Sequence, residues 1–365
     1  MKMRLVIPGN SLLSSIAAVH LSNIENIELS LKKVDLKHHD RFYSINEFSK
    51  RYLDHVGIWK NLDTDKIVSY NEIDIYLKKD KTINFNCCDL NTENLVYIVS
   101  EKDLLTAVKT ELNSCKLIDK FINLDTQSSN KDLIIYTDIK DVLANKISVK
   151  YSTTDYKQIA LNINLSHQND NMRKPRQIFY DQEILGLLPL DNYTYNLIWS
   201  LPSNMHGKLM NNSSGELSAC LSDRIEFIVG DIKKISIGKS FPLSSRHTDT
   251  YFYGNNLFVG EAAHKYHPLA GLGLNMGIED VAYLSYLLVN HKDKKSVMYN
   301  FSNKRIARNH GLQKILDLII NFHSTKLFPL EFKNRALKIF NQSIYLKAKI
   351  TKNATGLIDN NLINQ

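Results

Sequence analysis

The chain has 365 residues, 43% apolar and 23% charged, a composition typical of a globular protein with one large or two ordinary domains. No apolar run reaches the ~18–20 residues that span a bilayer, and four cysteines, two of them adjacent, give neither a disulfide framework nor metal-ligand spacing. The net charge of +8 is spread along a chain rich in Lys, Asn and Ile, so it does not predict nucleic-acid binding.

The first residues predict a strand, a turn and a helix. Residues 4–7 form a short apolar run, residues 8–11 a turn, and residues 12–21 an apolar helix rich in small side chains. A second strand follows at residues 27–31, which completes a βαβ unit and favours a parallel, doubly wound sheet. A secretory signal is the alternative for this stretch, but Pro8-Gly9-Asn10 interrupts the apolar run after a few residues.

The next hundred residues alternate between helical and strand patterns. The sequence predicts a helix at residues 47–56, a hairpin at 72–86 that turns at 78–81, an amphipathic helix at 101–112 and a short strand at 132–137.

The middle of the chain, residues 147–237, contains several strand-like segments at short spacing, which predict an inserted antiparallel sheet. A strand at residues 257–260, a glycine-rich loop and a helix from about Met276 come next, and helices are predicted from there to the end.

The strongest chemical signal lies in residues 256–282. A buried strand ends at Glu261, whose carboxylate can accept hydrogen bonds from a ribityl or sugar hydroxyl. Pro268 rigidifies the following turn, and Gly271 and Gly273 let the backbone approach a flat ligand. Residues 275–278 begin a helix whose free N–H groups would stabilise the negative charge of a reduced flavin.

This segment resembles the second flavin motif of the family that includes para-hydroxybenzoate hydroxylase. More narrowly, it resembles the ubiquinone-biosynthesis hydroxylases, whose pattern is roughly G-D-A-A-H-x-x-H-P-x-A-G-Q-G-x-N-x-G-x-x-D. The chain departs from that pattern at Glu261 and Leu272, and the matching positions are Gly260, Ala262, Ala263, His264, His267, Pro268, Ala270, Gly271, Gly273, Asn275, Gly277 and Asp280. Residues 44–59, 185–199, 241–243 and 299–328 also resemble the narrower family.

The resemblance implies an α/β fold with a Rossmann-like FAD-binding domain, an inserted antiparallel β-sheet substrate domain and a helical C-terminus. The FAD-binding domain would take residues 1–150, with a short inserted β segment at about 68–100, and return at 241–295. The substrate domain would be residues 151–240 and the C-terminal helices residues 296–365.

The resemblance also implies the chemistry. FAD would be reduced by NADPH or NADH and used with oxygen to hydroxylate a polyprenylated phenol in ubiquinone biosynthesis, with no side chain acting as a catalytic group. Arg41 would contact the phosphate–ribityl region and Glu261 the ribityl chain. The full set of expected cofactor-binding residues is Gly9, Ser11, Ser14, Arg41, Gly260, Glu261, Pro268, Gly271, Gly273, Leu274, Asn275 and Met276.

The N-terminal turn departs from the family. Where the family has G-x-G-x-x-G, this chain has Gly9, Ser11 and Ser14, and the acidic residue expected at the end of the second strand aligns with Leu31. Two accounts remain open: FAD binds with reduced affinity, or the chain is a non-catalytic homologue that acts as a structural partner of related quinone-biosynthesis proteins.

The C-terminal segment from residue 332 to 356 carries six basic residues, no acidic one and interspersed apolar residues. It predicts either a basic amphipathic helix on an anionic membrane surface or a solvated helix packed on the body of the protein. The expected location is therefore cytoplasmic, with peripheral contact to the inner membrane face. A metal site at Glu261, His264 and His267 is set aside, because no further ligand lies near them in the sequence.

Overall fold

The computed structural model describes residues 2–31, 41–115, 117, 132–168, 174–211, 214–357 and 362. Its strands are β1 Met3–Ile7, β2 Ile27–Leu31, β3 Phe42–Asn46, β4 Val68–Tyr70, β5 Glu72–Leu77, β6 Asp80–Asn86, β7 Val96–Ser100, β8 Leu133–Tyr136, β9 Tyr151–His167, β10 Arg176–Tyr180, β11 Glu183–Pro189, β12 Thr194–Pro202, β13 Ile232–Thr248, β14 Phe252–Tyr253, β15 Asn256–Phe258 and β16 His264–Lys265.

Its helices are α1 Leu12–Leu21, α2 Glu47–His55, α3 Glu101–Ser114, α4 Ile139–Ala144, α5 Ser203–Asn211, α6 Ser214–Val229, α7 Leu272–Asn290, α8 Lys294–Ser324, α9 Leu330–Gln342 and α10 Ile344–Ala354. Among the described residues, no helix is both long enough and apolar enough to cross a membrane.

A five-stranded sheet brings the N-terminal turn and the glycine-rich loop to the same edge. Its order is β14-β15-β8-β1-β2, and β15, β8, β1 and β2 run parallel. The parallel βαβ unit predicted at the N-terminus is therefore confirmed. Because the carboxyl ends of parallel strands share one edge, the turn after β1, the start of α4 and the loop after β15 lie together.

An eight-stranded sheet forms the second layer, in the order β16-β13-β9-β12-β11-β10-β5-β6. Its pairs are antiparallel except β10 with β5, so the predicted hairpin at residues 72–86 extends the antiparallel sheet predicted in the middle of the chain. A smaller sheet, β3-β7-β4, lies beside it. The domain boundaries stay a prediction; β13 runs across the one expected at residue 240.

Two helices in the middle region were not predicted. Residues 203–229 lie in a region for which the sequence predicted strands, yet they form α5 and α6. Apolar residues three or four apart, Leu217, Leu221, Ile225 and Ile228, are buried with the inward side chains of β9, β11 and β12. The helical period of this stretch follows from that packing.

The C-terminal basic segment is also not one helix. It divides at Ser343 into α9 and α10. The Nζ atoms of Lys333 and Lys347 point into the protein, where Lys333 donates to the carbonyl oxygens of His323 and Thr325. Several apolar side chains of these helices are exposed instead, among them Phe332, Ile339, Ile344 and Tyr345.

Candidate functional site

The loop after β15 is shaped by glycines. Gly260 has φ +58° and Gly271 has φ +59°, in the left-handed region that favours glycine. A Cβ at Gly277 would lie 2.6 Å from Cδ2 of Leu13, and one at Gly260 would collide with the same side chain. These two glycines therefore let α1 pack closely against the loop and α7.

Helix α7 begins at Leu272, four residues earlier than predicted, because Gly271 takes the left-handed conformation as its N-cap. No side chain in the part of the chain that the structure describes caps this helix start, which leaves its positive dipole end open to a ligand. A Cβ at Gly273 would meet nothing within 4 Å among the described residues beyond its own helix backbone and neighbours. An uncapped helix start with open space beside it suits a flat, negatively charged ring.

Asn275 fixes the position of this helix start. Its Oδ1 accepts from the backbone N–H of Asn46 at 3.0 Å, and its Nδ2 donates to the carbonyl oxygens of Ser44 at 2.7 Å and Gly271 at 2.9 Å. The amide is buried and joins α7 to the end of β3. Asn275 was predicted to contact the cofactor; the structure places its amide in contacts that position the loop.

A buried ionic network supports the same loop from behind. Asp280 accepts from the Gly260 N–H at 2.9 Å, from His264 Nε2 at 2.7 Å and from Arg305 Nε at 2.6 Å. Burial alone would raise the pKa of the Asp280 carboxyl, but Arg305 and His264 outweigh it and hold that pKa well below its usual range. Asp280 is therefore ionised and bridges the beginning of the loop to α8.

Arg41 lies at the edge of the site and forms an ion pair with Glu101. The Arg41 Nε donates to Glu101 Oε1 at 2.7 Å, and the Tyr43 hydroxyl donates to the same oxygen at 3.0 Å. Glu101 is buried, whereas about half of the Arg41 side chain is exposed (52%). Burial raises the pKa of Tyr43, and Arg41 opposes that shift. The exposed part of the guanidinium faces solvent and can reach an anionic ligand.

A cavity of about 1670 Å³ lies between the loop and the eight-stranded sheet. Its lining includes Arg41, Pro268, Gly271 and Asn275 from the predicted set. The described lining extends along the sheet and into the C-terminal helices, with side chains such as Asn162, Asn164, Gln177, Asn196, Ile198, Leu316, Phe322, Phe328, Leu337, Phe340 and Ile350. This volume is large enough for a ring system and a further apolar ligand.

One wall of the cavity is polar, and sequence reasoning missed it. Asn196 Nδ2 donates to the Oδ1 atoms of Asn162 at 2.7 Å and Asn164 at 2.8 Å. The alternation around residues 159–165 puts apolar side chains on the face that packs on α5 and α6. The same alternation puts these asparagines on the cavity face, a signal that was present in the sequence.

The remaining predicted residues lie elsewhere around the loop. Met276 is buried in an apolar cluster with Tyr266 and Leu269, and Leu274 packs against the main core. Glu261 is exposed, and its carbonyl oxygen accepts from Arg246 Nη2 at 2.9 Å. The assignment of these residues to a cofactor stays a prediction.

The N-terminal turn differs from the loop. The hydroxyls of Ser11, Ser14 and Thr137 lie within 2.6–2.9 Å of one another. Ser14 and Thr137 are buried, and Ser11 is partly buried as the N-cap of α1. Neither these three residues nor Gly9 is among the residues that line the cavity. The cavity therefore lies at the loop and the start of α7, and its described lining does not reach the N-terminal turn.

Comparison with known proteins shows which enzymes the chain resembles. Residues 142–310 match the family model for the FAD binding domain, a match that includes the loop and the start of α7. The 3-demethoxyubiquinol 3-hydroxylase of Escherichia coli is 24% identical over 359 residues, which is 92% of each chain. The chain is similar to FAD-dependent monooxygenases.

Other relatives of this monooxygenase agree. The ubiquinone hydroxylase UbiM of Neisseria meningitidis is 18% identical over 346 residues, covering 87% of this chain and 75% of its own. Among solved structures, p-nitrophenol 4-monooxygenase from Pseudomonas putida has a TM-score of 0.74 at 12% identity and covers 98% of its own chain and 100% of this one. Klebsiella pneumoniae HpxO, complexed with FAD and uric acid, has a TM-score of 0.68 at 14% identity, with 96% of this chain and 97% of its own covered. These structures show that the fold is that of the family.

Proposed function

We propose that this monooxygenase uses FAD, NAD(P)H and oxygen to hydroxylate a phenolic ring that carries a polyprenyl tail, as a step of ubiquinone biosynthesis. The observation that carries the proposal is the cavity of about 1670 Å³, whose lining runs from the start of α7 to apolar side chains of the C-terminal helices. The relatives named as ubiquinone hydroxylases support the same substrate class.

The chain's own residues would position the flavin ring, shield it from water and stabilise its negative charge. The N–H groups at Leu272 and Gly273, with the α7 dipole, stabilise negative charge on the ring system at the loop. Arg41 supplies the nearby positive charge, and Glu261 holds the ribityl hydroxyls. FAD, when bound, supplies the oxygen-activating redox chemistry. The protein's part in the reaction is a dry cavity and a fixed orientation.

The asparagine wall would orient the phenol. Asn162, Asn164 and Asn196 present amide donors and acceptors to the cavity. Such groups can bond a ring hydroxyl or carbonyl oxygen and so set which carbon faces the flavin. The apolar remainder of the cavity would take the tail.

The tail would leave between α8, α9 and α10. Phe322, Phe328, Leu337 and Ile350 line that end of the cavity. Exposed apolar and basic side chains lie together on α9, on α10 and on the connection between α8 and α9, namely Leu327, Phe332, Ile339, Ile344, Tyr345, Lys326, Arg335, Lys338, Lys349 and Lys352. This surface suits an anionic membrane that contains the substrate, and it supports the proposal of a peripheral location at the cytoplasmic face.

The proposal is tested with the purified full chain. We expect a yellow protein with a flavin absorbance spectrum, or one that acquires the spectrum on titration with FAD. With NADPH or NADH, oxygen and a prenylated phenol in vesicles, mass spectrometry should find a product with one added oxygen atom. A protein that stays colourless at saturating FAD and oxidises no NAD(P)H contradicts the proposal.

That negative result would favour the second candidate, a flavin-free partner of related quinone-biosynthesis proteins. The observation behind it is the N-terminal turn, whose hydroxyls bond one another. Such a protein should co-purify with hydroxylases of the pathway and retain the apolar cavity without any redox activity.

A further inference from the structure

The turn after β1 is filled by the protein's own side chains. Ser14 Oγ and Thr137 Oγ1 lie 2.6 Å apart, and Ser11 Oγ lies 2.9 Å from each of them. Ser14 and Thr137 are fully buried, and Ser11 is the N-cap of α1. Ser11 and Ser14 stand where the family pattern has glycines beside a diphosphate. Their hydroxyls are therefore hydrogen-bonded within the protein.

The start of α1 is also capped, unlike that of α7. Ser11 Oγ accepts from the Ser14 N–H at 3.0 Å, and Ser14 Oγ accepts from the Ser11 N–H at 3.3 Å. A dinucleotide fold offers the N–H groups of this helix start to the diphosphate. Here a reciprocal capping box already satisfies two of them.

The space beside Gly9 is occupied as well. A Cβ there would lie 2.6 Å from Ser14 Oγ and 2.9 Å from a carboxylate oxygen of Asp141. In a dinucleotide turn the corresponding glycine gives the backbone room to bend tightly around the ligand. In this chain the protein's own atoms, Ser14 Oγ and the Asp141 carboxylate oxygen, fill that room.

We propose, on the basis of the function proposed above, that this chain holds its flavin through the ring and ribityl half and not through the diphosphate–adenosine half. The cluster of Ser11, Ser14, Thr137 and Asp141 then determines cofactor specificity. FAD keeps its role in the reaction, but the enzyme binds FAD and FMN with similar affinity, and both exchange readily with solution.

The test is a titration of the flavin-free full-length protein with FAD and with FMN, followed by flavin fluorescence. We expect the two dissociation constants to agree within about tenfold, or about 1.4 kcal/mol. A dissociation constant for FAD more than about tenfold below that for FMN overturns the inference and leaves the proposed function intact. If neither flavin binds, the proposed function falls and the inference falls with it.

A variant assigns the effect to the turn. Replacing the two serines together, S11G/S14G, should restore backbone room and free the two N–H groups. FAD affinity should then rise at least about tenfold with FMN affinity unchanged. Ser22→Gly, at the other end of α1, is the matched control and should change neither affinity. A folded double variant with unaltered FAD affinity overturns the assignment to these serines; should it not fold, the ratio in the unmodified protein still decides.

Discussion

Two strand–turn–helix units meet at one edge of the parallel sheet, and they use their polar groups in opposite ways. After β1, the turn hydroxyls and the first N–H groups of α1 bond one another. After β15, the start of α7 has no side-chain cap. The polar side chains around it, Asn275 and Asp280, hold the loop from the sides and from behind.

The difference between the two helix starts indicates which of them is available to bind a ligand. A helix start that keeps its N–H groups for a ligand needs other residues to hold it in place, because it gives up the stability of a cap. A helix start that caps itself gains that stability and offers less to a ligand. The loop after β15 is therefore expected to depend on its buried network, and the turn after β1 on local contacts.

The largest expected effect on stability comes from a substitution that breaks the ionic network behind the loop. Asp280→Asn removes the charge that faces Arg305 and turns an amide N–H toward donors. We expect a loss of about 3–5 kcal/mol in the free energy of unfolding, because Arg305 is left as a buried cation with less compensation. Urea denaturation at neutral pH measures it.

The counterpart at the turn is Ser14→Ala, which leaves Ser11 and Thr137 able to bond each other. Its expected cost is about 1 kcal/mol in the same measurement. The exposed carboxylate of Asp231 provides the control, and Asp231→Asn should leave stability unchanged. Equal losses for Asp280→Asn and Ser14→Ala would remove the contrast between the two units.

The next prediction concerns a change in flavin affinity that leaves the stability of the fold unaltered. Gly273 lies in the first turn of α7 with open space beside it, so Gly273→Val should fold but crowd the ligand. We expect flavin affinity to fall about 100-fold, equivalent to about 2.7 kcal/mol. Absorbance titration with FAD measures this change, and thermal unfolding checks the fold.

Gly311 offers a matched control for that variant. It lies within α8, is exposed, and likewise has open space beside it. Gly311→Val should share any cost in helix propensity and leave flavin affinity unaltered. If both variants weaken flavin binding alike, or neither does, the start of α7 is not the ring-binding end.

A third effect distinguishes two exposed surfaces, one beside the N-terminal turn and one on the C-terminal helices. Leu143 in α4 is an isolated exposed apolar residue on the side of the N-terminal turn, with 65% of its surface accessible. Phe332 and Tyr345 belong to the basic C-terminal surface. The double substitution F332D/Y345D should lower partitioning onto anionic vesicles by about tenfold, through lost apolar contact and added negative charge.

Leu143→Asp should leave partitioning unchanged in the same sedimentation assay. Neutral vesicles should bind the unmodified protein more weakly than anionic ones, and added salt should reduce the binding to anionic vesicles. Equal partitioning of F332D/Y345D and the unmodified protein would exclude this surface from membrane contact.

Local sequence patterns predicted most of the elements that position the site. The βαβ unit, α2, the hairpin at residues 72–86 and the strand and loop around Gly260 all follow from apolar periodicity and glycine placement. The start of α7 was misplaced by four residues, because the left-handed conformation of Gly271 is set by its neighbours in space. Helices α5 and α6 were missed, although their apolar spacing is helical.

Long-range contacts explain what the sequence could not predict in the site. Asn275 bonds groups more than 200 residues away in the chain, at Ser44 and Asn46. Thr137 meets Ser14 only because β8 lies beside β1. No local sequence pattern indicates such pairings. From the sequence alone the serines at the turn were interpreted as substitutions in a glycine motif, whereas in the structure they belong to a hydrogen-bonded cluster.

The smallest expected effect follows from a histidine at each unit. Burial lowers the pKa of His20, in α1, to about 4, with a further contribution from His55, and burial lowers the pKa of His267, in the loop, to about 4. A histidine pKa depressed by folding gives stability that is present above the unfolded value, near 6.5. That stability is lost as the pH falls toward about 4.

Between pH 7 and pH 6 each of these two histidines should therefore remove roughly 0.5–1 kcal/mol from the free energy of unfolding. Thermal unfolding at the two pH values measures the total loss, and His20→Asn and His267→Asn should each reduce it by roughly 0.5–1 kcal/mol. The remainder comes from other buried histidines, because burial also lowers the pKa values of His247 and His323 to about 3.

Asp280 stays ionised across this range because Arg305 and His264 outweigh the effect of its burial on the pKa, so the Asp280 carboxyl does not contribute. If His267→Asn leaves the pH dependence intact while His20→Asn reduces it, acid acts on the N-terminal unit and not on His267, and the loop is the more acid-resistant of the two.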